Sequence, residues 1–273
     1  MSKTASHAVG VRPRARRGAW ALRCTLELRA LHPPLKVPLH YNQYVQALVY
    51  RLLGQELADR VHEEGFPAGA RRLRLFAFSR LLGPYALHQE ESAISFGERA
   101  RLVVSSPMEE FVPALARALV DSAALHIASV AVAVESVRFD HPRVPGDRAV
   151  FRTLSPVSVY STVARPDGTR FTYYFEPRSG EFERLATENL RRKYEALTGR
   201  PYAGPGVRWR WRGQPRLAVI RYDRGIVKGY AGTVEGEGDP VLLQLALDAG
   251  LGAKNAQGFG LLELAGARAE PPA

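Results

Sequence analysis

Residues 250–260 read GLGAKNAQGFG, four glycines set as G-x-G, a five-residue spacer and a second G-x-G. Glycine lets the backbone take positive φ and lets another chain approach without a Cβ in the way. Between the glycine pairs, Lys254, Asn255 and Gln257 supply donors suited to phosphates or bases. The pattern predicts a turn built for close polyanion contact, with Gly250, Gly252, Gly258 and Gly260 shaping its backbone. It is neither a dinucleotide fingerprint nor a P-loop: G-x-G-x-x-G and GK[ST] are absent, and the turn precedes a strand instead of opening a βαβ unit.

Around the turn, Pro240 to Leu247 predicts a short helix and Phe259 to Leu264 a final strand. Upstream, a strand near Val150 to Thr162 and a helix near Glu181 to Ala196 precede three strand-like stretches, at 206–212, 215–222 and 226–234. The first half has a similar order. Alternation from Trp20 to Leu31 predicts a strand that Pro33, Pro34 and Pro38 end. Asn42 can cap a helix whose stripe is Val45, Leu48, Val49 and Leu52, stopped by Gly54. A short helix follows from Glu56 to Glu64, then strands at 71–82 and 99–105, a helix from Met108 to Leu125 and a β-branched strand from Val130 to Phe139. The order β-α-β-β-α-β is the ferredoxin-like arrangement of RNA-recognition domains. Pro142 to Asp147 carries Pro, Gly and charge, so the boundary falls there. The expected architecture is α+β: two tandem ferredoxin-like domains, at 19–142 and 147–266, with antiparallel sheets, helices on one face and a basic disordered tail over residues 1–18. In the second domain the third strand-like stretch leaves one strand too many.

Charge points to the partner. Against 27 Asp and Glu stand 38 Lys and Arg, a net charge of +11 in 273 residues, which favours a polyanion because each neutralised phosphate releases a counterion. The single cysteine, Cys24, excludes a disulfide framework and a thiolate metal cage and implies a reducing, cytoplasmic setting. No run approaches the ~20 apolar residues of a membrane span. No cofactor or metal is expected, and no cluster of carboxylates or histidines stands at ligand spacing.

A glycine-rich turn near the end of a basic chain of two ferredoxin-like units resembles the signature of the repeat-associated RNA-processing superfamily of CRISPR systems. Within it, PLHYNQYVQALVYRLL at 38–53 resembles the first helix of the Cas-six family of guide-RNA-processing endoribonucleases. HEEG at 62–65, RLFAFS at 74–79 and TLSPVSV at 153–159 agree. The resemblance implies metal-independent cutting of CRISPR precursor RNA within its repeats by the substrate's own 2′-hydroxyl, leaving a 2′,3′-cyclic phosphate and a 5′-hydroxyl. It also implies repeat RNA as partner. Effector-complex subunits and a second copy of the chain are further partners that the sequence leaves open.

By motif position, the resemblance places the family's catalytic histidine on His62 and its tyrosine on Tyr50, with Arg74 where some members carry lysine. His62 would then be general acid or base, Tyr50 would orient the 2′-hydroxyl or scissile phosphate, and Arg74 would stabilise charge. Guanidinium clamps a phosphate but does not donate its proton. His40, opening the first helix beside Tyr41, is the rival histidine. Arg71, Arg72, Arg80, Arg191, Arg192 and Lys193 could carry phosphates. In Arg208-Trp209-Arg210-Trp211-Arg212, Arg208 and Arg210 would offer charge on one face; the tryptophans would either stack bases or face the core. A non-catalytic guide-RNA-binding subunit, a metal-dependent nuclease and an unrelated basic scaffold are the competing readings.

Overall fold

The computed structural model describes residues 22–68, 71–121, 125–223 and 225–266. The expected basic tail lies outside the described residues.

In the first half, β1 (Leu22–Ala30) is the central strand, and its alternation buries Cys24, Leu26, Leu28 and Ala30 completely. Burial pushes the Cys24 thiol up to about 12, leaving it a small apolar packing group. Around β1 stand β2 (Ala77–Phe78), β3 (Arg99–Ser106), β4 (Leu125–Ile127) and β5 (Val130–Asp140), in the antiparallel order β2-β3-β1-β5-β4. The helices are α1 (Asn42–Leu52), α2 (Gln55–Asp59), which runs on into a widened turn at Arg60–Glu64, and α3 (Phe111–Asp121).

Three expectations change. Residues 71–82 do not form one strand: Arg71–Leu73 pairs with Phe66–Ala68, and Leu75, Phe76, Ala77 and Phe78 are buried in succession, so the chain enters the core and alternation is lost. The link from β2 to β3 carries two short strands, Ala86–His88 and Ala93–Phe96, and the second pairs with Leu35–Pro38 from the connection between β1 and α1 to make a small sheet. The third helix is shorter than Met108 to Leu125, because Leu125 and Ile127 are buried and His126 is exposed, a period of two that pairs with β5.

The second half repeats the plan with β6 (Arg148–Thr153), β7 (Tyr160–Ala164), β8 (Arg170–Tyr174), α4 (Gly180–Thr198), β9 (Val207–Tyr222), β10 (Gly225–Gly238), α5 (Pro240–Ala249) and β11 (Leu262–Leu264). Its sheet runs β9-β10-β6-β11, the same second-third-first-fourth order as β2-β3-β1-β5. The supernumerary strand disappears, since 206–212 and 215–222 are one bulged strand with its register shift between Arg212 and Arg216. The expected strand at 150–162 divides into β6 and β7, and β7 pairs with β8 as a separate hairpin. Ser179 and Asp239 cap α4 and α5 through the amides of Phe182 and Val241, as the sequence rules for helix starts require.

One hydrophobic core runs through both halves. Across their junction, Arg23 of β1 donates to the carbonyl of Leu262 at 2.7 Å and of Leu247 at 3.3 Å. The link at 141–147 is pinned by Gln244, which accepts from the Val144 amide and donates to the Pro142 carbonyl, both at 3.0 Å. Among the described residues, no helix is long and apolar enough to cross a membrane.

Candidate active site

The site forms where α1, the turn after α2 and the glycine-rich turn meet. Tyr50 closes α1 with its ring edge-on to His62, centroids 5.2 Å apart, and to Phe76 at 5.5 Å. Phe76 is part of the buried core and braces this stack from inside. His62 is exposed on the widened Arg60–Glu64 turn. Arg74 reaches back from the chain leading to β2, and its Nη2 donates to the His62 carbonyl at 2.9 Å. That bond ties Arg74 to the turn through one of the five N–H groups that a guanidinium carries. The three residues read from sequence as catalytic therefore lie together.

Their electrostatics sort the roles. Burial pushes the Tyr50 hydroxyl up to about 12, against a smaller lowering by the Arg74 charge, so Tyr50 is a proton-bearing donor at neutral pH. That hydroxyl is buried and has no hydrogen-bond partner among the described residues. An unspent donor of this kind is what a bound hydroxyl or phosphate oxygen would satisfy. His40 sits at the other end of α1, about 15 Å along the helix from Tyr50. Its Nδ1 accepts from the Arg221 amide at 3.3 Å, and burial, then Arg221 and Arg80, pull its imidazole below the usual range.

The glycine-rich turn is packed mainly against protein. Asn255 is buried, and its Nδ2 donates to the carbonyls of Phe259 at 3.0 Å and Leu251 at 3.3 Å. It is an internal staple of the turn, a correction to its expected role as an RNA donor: the amide that would have read RNA is spent on the backbone. Lys193, expected to carry a phosphate, is likewise buried, its ammonium donating to the carbonyls of Gly250 at 2.6 Å, Gly252 at 3.0 Å and Ala249 at 3.4 Å. From the first domain, Asn42 donates to the carbonyls of Gln257 at 2.9 Å and Gly258 at 3.3 Å. Asn42 does not cap α1, because its side chain turns to the loop. Lys254 and Gln257 stay partly exposed, with the Lys254 ammonium 5.2 Å from the Tyr160 ring centre.

The basic positions divide. Arg80 donates to the Tyr41 hydroxyl at 2.8 Å, Arg192 pairs with Glu188, and Arg72 is exposed on its hairpin. Trp209 and Trp211 face the core, against Phe151 and Phe182 at 6.2 and 5.9 Å, so they are no base-stacking platform. Arg208 and Arg212 pair with Glu237 and Glu235 on β10, and Arg210 is exposed between them. On β9, Arg208 and Arg210 lie on the order of 35 Å of strand from Tyr222 at its tip. They are not part of the cluster around His62.

Tyr222 itself was not anticipated. Its hydroxyl donates to Gln46 Oε1, and Gln46 Nε2 donates to the Ala256 carbonyl of the glycine-rich turn at 2.6 Å. Arg74 acts electrostatically on both Tyr222 and Tyr50. The signal that could have found Gln46 is its spacing, since Asn42, Gln46 and Tyr50 make a polar stripe at i, i+4 and i+8 on α1. Lys193 stands in the α4 stripe of Ala186, Leu190 and Leu197, a lysine on an apolar face.

The family description CRISPR-associated protein Cas6, N-terminal, matches residues 36–138, and CRISPR associated protein Cas6, C-terminal, matches residues 140–264. The chain belongs to the Cas6 family. A curated relative, CRISPR-associated endoribonuclease Cas6 1 of Methanocaldococcus jannaschii, is 23% identical over 242 residues, spanning 83% of this chain and 86% of that one. Among solved structures, one described as a Cas6-related gene product from Pyrococcus furiosus superposes with a TM-score of 0.80 at 16% identity, over 91% of this chain and 100% of that one. Another, titled an RAMP protein binding different RNA substrates, gives 0.78 at 17% identity, over 89% and 99%. A Cas6 product complex gives 0.65 at 21% identity, over 90% and 100%. The tandem ferredoxin-like architecture of this Cas6 chain is the fold shared with them.

Proposed function

We propose that this Cas6 protein is a metal-independent endoribonuclease that cuts CRISPR precursor RNA within its repeats. The observation that carries the reading is the convergence of His62, Tyr50 and Arg74 from three separate segments, beside a turn tied to the same helix. Family membership and the name of the Methanocaldococcus jannaschii relative supply the reaction class.

The substrate 2′-oxygen attacks the adjacent phosphorus as the bond from phosphorus to the 5′-oxygen breaks. The 2′-proton leaves to a base and the 5′-oxygen gains one from an acid, giving a 2′,3′-cyclic phosphate and a 5′-hydroxyl. His62 suits a proton-transfer role because it is exposed and its imidazole has one ring nitrogen that can accept a proton and another that can donate one. The Tyr50 hydroxyl, protonated and without a partner among the described residues, donates to the 2′-oxygen or to a phosphate oxygen. Arg74, already fixed through the His62 carbonyl, offers its remaining N–H groups to the phosphorane, where charge peaks. Lys254 and Gln257, partly exposed on the glycine-rich turn, hold the strand alongside, and Arg72 extends the basic surface.

The test is cleavage of repeat RNA in excess chelator. His62→Ala should abolish specific cutting while RNA binding persists, and His40→Ala should cut normally. Activity that disappears with the chelator would refute metal independence. Full activity in His62→Ala would move the chemistry elsewhere, to His40 if His40→Ala is dead.

A further inference from the structure

We propose that Gln46 and Tyr222 form a positioning pair that sets the register of the glycine-rich turn against Tyr50 and His62. The inference rests on the catalytic reading above and adds to it a link between the two domains. Gln46 lies one helical turn before Tyr50 on the same face of α1. Both ends of its amide are spent on the second domain: Nε2 on the Ala256 carbonyl at 2.6 Å, and Oε1 on the Tyr222 hydroxyl. One side chain of the catalytic helix thus grips two segments at once.

Those two segments are themselves joined. Beneath the tip of the β9–β10 hairpin, Ile220 and Val227 pack with Phe259, the residue between the last two glycines, and all three are at most 4% exposed. Tip and turn therefore form one packed unit, and α1 meets that unit through a short row of polar contacts, Asn42 to the carbonyls of Gln257 and Gly258 and Gln46 to Ala256 and Tyr222. Burial pushes the Tyr222 phenol up to about 12, so its proton stays in place for Gln46 throughout the working range. Losing the bond would let the turn slide along α1. Overall RNA affinity, summed over many phosphate contacts, would barely register such a slide. Alignment of the 2′-hydroxyl with the phosphate would, since a misplacement of about 1 Å costs up to about 100-fold in rate.

The experiment measures single-turnover cleavage of repeat RNA by the full chain at saturating protein, with Kd and Tm recorded for each variant. Tyr222→Phe removes one oxygen and should slow cutting about fivefold, the worth of one neutral hydrogen bond. Gln46→Met removes both bonds at nearly constant volume and should slow it about 25-fold. The double variant should cut no slower than Gln46→Met, because the two residues share one bond. Kd and Tm should stay near the parent values for Tyr222→Phe. Parent-like rates in Tyr222→Phe, multiplicative losses in the double variant, or losses confined to Kd or Tm would each overturn the pair. His62→Ala separates the failures: full activity there sinks the catalytic reading, whereas a dead His62→Ala beside fully active Gln46 and Tyr222 variants sinks only this inference.

Discussion

Replacing Gly258 by alanine should destabilise the protein before any RNA is added. Gly258 adopts φ +82°, and a Cβ there would meet Asn42 Nδ2 at 2.6 Å, Phe78 Cε2 at 2.6 Å and Phe78 Cζ at 3.0 Å. Left-handed backbone costs a non-glycine residue about 1–2 kcal/mol. Overpacking against a fully buried ring adds about 1–3 kcal/mol, because Phe78 has no free space to retreat into. The expected loss is about 2–5 kcal/mol, with weakening of the Asn42 bonds to the turn. Gly260→Ala should be worse, since its Cβ would stand 2.0 Å from the Leu251 carbonyl oxygen, and backbone yields less than a side chain. Gly168→Ala is the internal control: φ is +79° but nothing lies within 4 Å, so only the conformational part, about 1–2 kcal/mol, should appear. Urea and thermal unfolding of the RNA-free protein measure all three. A Gly258→Ala protein as stable as Gly168→Ala, yet defective in RNA binding, would refute the argument and show that this glycine clears space for RNA instead of for α1.

Tyr50→Phe removes a buried hydroxyl that has no partner among the described residues. It should leave Tm unchanged or slightly raised while slowing cleavage about 100-fold or more, and a large fall in Tm would show that the hydroxyl is structural. Asp248 is buried, and that burial pushes its carboxyl up to about 7, only partly offset by the Gln244 hydrogen bond and the charges of Arg23 and Arg143. Because the folded value lies above the unfolded one, the folded state holds the proton longer, and stability falls as pH rises from about 4 to about 7. Asp248→Asn should flatten that slope and be more stable above pH 7 by about 2–4 kcal/mol, and unchanged pH dependence of the urea midpoint would contradict it.

Local pattern carried most of the architecture into view. The stripe of Val45, Leu48, Val49 and Leu52 forms α1, the alternation around Cys24 forms β1, and Asp239-Pro240 starts α5, because each depends on residues within a few positions of one another. Errors arose where burial on two faces erased periodicity, as at Leu75–Phe78, or where a bulge made one strand read as two, as at Gly213–Pro215. Tyr50, His62 and Arg74, which resemblance alone proposes as catalytic, lie within one short stretch of sequence, and the helix and turn that carry them set the two rings and the guanidinium side by side.

Sequence alone determined that the chain is basic, patterned as two β-α-β-β-α-β units, and equipped with a glycine-rich turn near one end and with Tyr50, His62 and Arg74 in one short stretch near the other. Only the tertiary structure decided which donors face inward. Asn255 and Lys193 look like RNA ligands in a linear reading, yet the backbone carbonyls around them claim their hydrogens. The same holds for Gln46 and Tyr222, 176 positions apart, whose bond exists because a long hairpin from one domain ends on a helix of the other. Hydrogen bonds between distant segments are set by the packing of whole elements, and no periodicity in the chain records them.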